Sequence, residues 1–189
     1  MSRTLKITPS EFVTVRTDTS QLLELEATFE PVEHRPPKHW HPSQDEHFEV
    51  LEGTLTANID GREVVLRAGD TLDIPRGTVH SMWNSGAERA RVVWQVRPAG
   101  RTGQWFASVD AVHQSGRVGR DGMPGLLAYA VFLTEFRDVF RLATPAAPLV
   151  RALLTVLAPI GRLRGYRPAA AIKSGVDSPS SSARPTRQG

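Results

Sequence analysis

At 189 residues, 40% of them apolar, the chain has material for one domain with appendages and a buried core. It contains no cysteine, which excludes disulfides and thiolate metal sites, so any bound metal must be held by nitrogen and oxygen. Net charge is +3 but uneven: from Phe136 onward nine basic residues face two acidic ones, a net of +7, which leaves −4 for the rest. A basic end of this kind can favour anionic surfaces, but it reads first as a solvated tail. The opening Met1-Ser2-Arg3-Thr4-Leu5-Lys6 has no apolar run of signal-peptide length, so a cytoplasmic home is the default.

In chain order, residues 1–11 carry little pattern and read as an N-terminal arm. Phe12 to Thr17 alternates and reads as a first strand. Leu23, Leu25, Ala27 and Phe29 alternate with Glu24, Glu26, Thr28 and Glu30, a half-buried strand that Pro31 ends. His34 lies in the connection that follows and reads as exposed. His39-Trp40-His41 is extended and is broken by Pro42-Ser43-Gln44. Glu46 to Glu52 is the next strand, with Glu46, Phe48 and Val50 on one face and His47 and Glu49 on the other. Thr54–Ile59 and Arg62–Arg67 form a hairpin about Asp60-Gly61, a pair suited to a type I′ turn. Thr71–Ile74, then Thr78 to Asn84, then Glu88 to Arg97 complete the strands, and Pro98 ends them.

Beyond Pro98 the period changes. Gln104–His113 reads as a short helix carrying Trp105 and Phe106. Pro124–Arg141 reads as a helix with a broad apolar face that includes Phe132, Phe136 and Phe140. Leu149–Ile160 reads as a second, more apolar helix, and from about Ala169 the composition reads as disordered tail. The expected organisation is an arm over 1–11, a β-barrel over 12–98, a helical extension over 99–168 and a tail over 169–189. Many short strands separated by Gly and Pro turns argue a mainly β sandwich or barrel, here followed by α-helices.

One group of residues stands out chemically. His39 and His41 are two apart, so on a strand both reach one point. A hairpin can bring the Glu46 carboxylate to the same point, and His80 is a fourth candidate. Imidazoles with a carboxylate suit a divalent transition metal such as Fe, Mn, Ni, Zn or Cu, and affinity alone does not choose among them. Gln44 and Asn84 are candidates to hold the ligands in place. Phe48, Met82 and Trp94 are candidates to wall a pocket, although barrel core is the plainer reading of each. Trp40 should point away from the metal.

These stretches resemble the two motifs of the cupin family. The first reads His39-x-His41, four residues, Glu46, six residues, Gly53, with Glu33 where the family has its leading glycine. The second reads Gly69, Pro75, Gly77, His80 and Asn84 with every spacing met. The resemblance covers roughly residues 12–98 and leaves the rest of the chain unexplained. It implies a double-stranded β-helix, or jelly roll, and a metal on His39, His41, Glu46 and His80.

The same resemblance implies chemistry on a small organic molecule: oxygenation of a phenolic or enol substrate, or isomerisation or cyclisation of one. The reading leans to an enzyme. The alternatives are a non-catalytic module that binds or senses a small molecule, and a membrane-associated accessory protein. The Leu149–Ile160 run is too short to span a bilayer. The helices are therefore expected over the barrel or across a homodimer, with membrane association open but not favoured. No basic stripe with interleaved aromatics suggests nucleic acid.

Overall fold

The alternation read along the first half of the chain becomes two facing sheets. A computed structural model of the chain describes residues 3–170. Residues 1–2 and 171–189 lie outside the described residues, and with them most of the expected tail.

The larger sheet contains β1 (Thr4–Thr8), β2 (Glu11–Asp18), β3 (Leu23–Phe29), β10 (Ala90–Arg97), β5 (Asp45–Glu52) and β8 (Thr71–Ile74), in that spatial order. The smaller contains β11 (Arg141–Leu142), β4 (His39–Trp40), β9 (His80–Trp83), β6 (Thr54–Ile59) and β7 (Arg62–Arg67). All of these strand pairings are antiparallel. The result is a mainly β jelly-roll barrel followed by helices. Its core comes from the inward residues of alternating strands: Leu23, Leu25 and Ala27 on β3, Phe48 and Val50 on β5, Val92 and Val96 on β10.

Two turns show why particular residues are required. Asp60 and Gly61 both have positive φ, 47° and 91°, as a type I′ hairpin demands. Gly53, at φ 74°, sits so close to the neighbouring strand that a Cβ there would meet the Arg89 carbonyl oxygen at 2.5 Å.

Three elements differ from expectation. The stretch read as an arm contains β1, whose Leu5 and Ile7 are buried. It is held by α1 (Thr102–Gln114): the buried Asp110 carboxylate accepts from the Lys6 backbone N–H at 2.9 Å and from Arg3 at 2.5 Å. The second helix, α2, is shorter than its apolar pattern and runs Leu126–Glu135. Phe136 to Phe140 then turns, and Arg141–Leu142 becomes β11, paired with the histidine strand β4. In that turn Phe136 and Val139 are buried and Phe140 is partly buried against the core. Helix α3 (Ala147–Leu163) is longer than expected and packs on α2 through Ala158 and Gly161, which are buried. No helix among the described residues is long and apolar enough to cross a membrane.

Candidate metal centre

Three histidines and one carboxylate meet between the two sheets. His39 on β4 pairs in register with His80 on β9, so their side chains leave the sheet side by side. His41 follows β4, and its backbone carbonyl accepts from Gly77 N–H at 2.8 Å. Glu46 comes from β5 in the opposite sheet, where the pleat turns it inward with Phe48 and Val50. One ligating nitrogen from each of His39, His41 and His80 lies within 4.8 Å of the others. Glu46 Oε1 is 3.4 Å from His41 Nε2, and Glu46 Oε2 is 3.0 Å from His80 Nε2. His41, Glu46 and His80 are buried, and His39 is partly exposed.

The outer nitrogens of the rings are all engaged by backbone carbonyls. His39 Nδ1 lies 3.3 Å from Pro37 O, His41 Nδ1 2.6 Å from Val139 O and His80 Nδ1 3.0 Å from Thr78 O. A carbonyl oxygen can only accept, so each Nδ1 carries the proton and each Nε2 is free to act as a ligand. His41 Nε2 and Glu46 Oε2 are buried without a hydrogen-bond partner. Leaving such atoms orphaned is costly, and a cation between them would satisfy both. The donor set therefore fits a divalent metal, and His39, His41 and His80 could hold one.

The charges support the same arrangement. Burial alone would raise the Glu46 carboxyl, but His41, His80 and His39 outweigh it and hold the group below its ordinary value. His39 is pushed down to about 3, first by burial and then by His80 and His41, so its ring stays neutral. Burial works to lower His80, yet the Glu46 carboxylate beside it leaves it raised.

The surroundings redistribute several expected roles. Trp94, expected as wall, donates its indole N–H to Glu46 Oε1 at 3.1 Å. Phe48 stacks on Trp94 at 5.3 Å and is core. Met82 is partly buried against the same core. Gln44 and Asn84 do not hold the ligands. Gln44 is buried and donates to Ala99 O and Thr102 Oγ1, at 3.1 and 2.6 Å, fastening the barrel to α1. Asn84 donates to Phe29 O and Glu88 O and accepts from Gly86 N–H, which ties strand ends and a turn. Nearby carbonyls and a hydroxyl claim both amide nitrogens, while Gln44 Oε1 is buried without a hydrogen-bond partner. His47 points outward to Asp73, at 2.7 Å, and His34 is exposed. Trp40 lies under the Arg141 guanidinium, 5.0 Å from the ring centre.

The helical extension supplies neighbours that the strand pattern did not announce. Phe140 stacks on His39 at 4.5 Å and on Trp105 of α1 at 5.1 Å. Phe106, next along α1, meets Trp94 edge-on at 5.2 Å. Arg101 joins the end of α2 to α1, donating to Asp138 and to the Glu135 carbonyl while lying over the Phe136 ring. The aromatic spacing that marks these residues as an apolar helix face was visible, but not the face they would meet.

Residues 25–96 match the family model described as "Cupin domain". The chain carries a cupin domain. Over 61 residues this cupin is 38% identical to the Streptomyces glaucescens protein named tetracenomycin polyketide synthase protein TcmJ, covering 32% of this chain and 41% of that one. Over 49 residues it is 51% identical to a Pestalotiopsis fici protein named oxidoreductase iacF, covering 25% of this chain and 24% of that one. The match thus spans less than half the length of either relative. Among solved structures, an RmlC-like cupin from Shewanella frigidimarina aligns with a TM-score of 0.47 and 20% identity, over 52% of this chain and 85% of that one.

Proposed function

We propose that this cupin is a metal-dependent enzyme acting on a small organic molecule, with one divalent transition metal held by His39, His41, Glu46 and His80. The observation that carries the reading is the set of three imidazoles whose Nδ1 atoms are spent on backbone carbonyls, leaving Nε2 ligands beside a buried carboxylate. Such a donor set takes Fe, Mn, Ni, Cu or Zn. Bound there, the metal would supply Lewis-acid polarisation or, if redox-active, chemistry with O₂. The chain's own residues do the rest. The carbonyls of Pro37, Val139 and Thr78 fix the ring tautomers. Trp94 holds the carboxylate, and Phe140 screens His39 from water.

The reaction class we favour is dioxygenase-like turnover, or isomerisation or cyclisation, of a phenolic or enol compound. A relative named an oxidoreductase supports redox turnover, and another named with a polyketide synthase supports a polyketide-type substrate. We place the protein in the cytoplasm as a homodimer. A non-catalytic role in binding or sensing is the second reading. Phe140 favours it, because a substrate approaching His39 from that side must displace a ring that is stacked on both faces.

Elemental analysis of protein purified without a metal-binding tag, beside a His39→Ala, His80→Ala double variant, tests the site. About one equivalent of metal per chain, lost in the variant, is the expected result. Iron then directs O₂-uptake assays with phenolic and enol compounds, and zinc directs assays of isomerisation and cyclisation. No metal in either protein after reconstitution would overturn the proposal.

A further inference from the structure

The outer face of α3 is apolar where a solvated helix should be polar. Leu149, Leu153, Val156, Ile160 and Leu163 are 72, 50, 68, 43 and 88% exposed. Their spacing is four, three, four, three, so they form one straight stripe along the helix, as the a and d positions of a heptad seam do. The opposite side of α3 is already used, with Ala158 and Gly161 buried against α2. The stripe is therefore a second apolar face, free of any partner among the described residues. Soluble monomers rarely expose contiguous apolar patches of this extent.

We infer that this stripe is the contact between two copies of the chain, α3 packing antiparallel on α3 with Val156 near the two-fold axis. The inference rests on the homodimer proposed above and says where its interface lies. Three features select a second copy. Within α3 the positions flanking the stripe in a heptad are Val150, Ala152, Leu157 and Pro159, none charged; the next, Arg164, caps the helix, and in an antiparallel pair the two Arg164 lie at opposite ends, so two copies meet without like charges along the seam. The arginines of α3 are turned elsewhere: Arg162 pairs with Glu135 on α2 at 3.2 Å, and Arg151 lines the cavity between α2 and α3. An anionic lipid surface would want those cations beside the stripe. The stripe is also self-complementary, since reversing α3 about Val156 sets Leu149 against Leu163 and Leu153 near Ile160.

Size sets the expected strength. The stripe spans fifteen residues, Leu149 to Leu163, a face about 21 Å long and about 10 Å wide. Two such faces belong at the small end of specific interfaces, under about 1,200 Å² in total. The dimer should therefore dissociate on dilution.

The chain has no cysteine, which makes the test clean. Val156→Cys is oxidised in the full-length protein and compared with Thr155→Cys, whose site lies off the stripe. Sedimentation equilibrium is run on the native chain and on Val156→Asp, with metal content and far-UV circular dichroism as checks on folding. We expect a concentration-dependent dimer, rapid cross-linking at position 156 but not 155, and a monomeric Val156→Asp with unchanged metal content. A dimer that persists in Val156→Asp and does not cross-link at 156 would overturn the inference and leave the homodimer standing. A native chain that is monomeric at all concentrations would overturn both. Stripe-dependent co-sedimentation with vesicles of phosphatidylglycerol and phosphatidylcholine, in a protein that shows no dimer, would assign the face to lipid instead.

Discussion

Replacing Trp94 with Phe removes one proton donor and little else. The indole N–H reaches Glu46 Oε1 at 3.1 Å, while the ring itself is held by Phe48 at 5.3 Å and Phe106 at 5.2 Å. Phe can keep much of that ring packing, so the change falls mainly on the carboxylate. A hydrogen bond to a charged acceptor contributes about 1.5–3 kcal/mol. The upper part of that range applies here, because the Glu46 side chain is 1% exposed and water has poor access to replace the donor. The assay is urea denaturation of the metal-free protein at pH 7 for four chains: native, Trp94→Phe, Glu46→Leu and the double variant. With a slope of about 1–3 kcal/mol per molar urea, the single Trp94→Phe change moves the midpoint by about 1 M. The cycle should give a coupling of about 1.5–3 kcal/mol. A coupling under about 0.5 kcal/mol would mean that the indole does not hold the carboxylate, whatever the distance. Metal affinity gives a second readout, because loss of a partner that orients a ligand weakens binding roughly 10–100-fold.

His47→Ala should leave metal content unchanged, since its ring bonds Asp73 on the outside of β5; loss of metal would show that β5 presents its other face to the site. Gly161→Ala should destabilise the α2–α3 pair, because a Cβ there meets Leu127 O and Val131 Cγ2, each at 2.6 Å. Helix propensity gains about 1 kcal/mol from that change. Overpacking costs about 1–3 kcal/mol and should outweigh it, so an unchanged melting temperature would refute the close contact. The metal-free protein should lose stability as pH falls from about 6.5. His39, held down to about 3 when folded, takes up its proton readily only in the unfolded chain. Glu46, also held low, loses its contribution as pH falls through its folded value. His80 is raised, so its contribution is full below its unfolded value and disappears as pH rises through the folded one. Thermal melts against pH, with His39→Leu as control, check the acid limb; an equal acid slope in His39→Leu would exclude His39 as its cause.

The barrel was readable because its signals are local. Alternation fixes which face of a strand is buried, and the same alternation placed Glu46 with Phe48 and Val50 and sent His47 outward. The four residues brought together at the site come from three strands, β4, β5 and β9, and the turn after β4. What sequence could not supply were contacts between distant segments. His41 meets Val139 across 98 positions, and β11 has only two residues, too few to show a period. Gln44 and Asn84 had the residue type and the place for ligand support, but their amides were taken by carbonyls and a hydroxyl that only the folded turns bring near.

These contacts between distant segments give the second half of the chain a role at the site. An appendage would touch the barrel on its outer surface and leave the histidines alone. Here the Phe136–Leu142 segment adds a strand to β4 beside His39, places a carbonyl on His41 Nδ1 and lays Phe140 over the His39 ring. Helix α1 backs two neighbours of the site, Trp105 behind Phe140 and Phe106 behind Trp94. The barrel brings the four candidate side chains together, but the His41 ring is oriented by the extension. A barrel cut after Pro98 would keep every candidate ligand and lose the carbonyl that fixes one of them, so the site belongs to the two parts jointly.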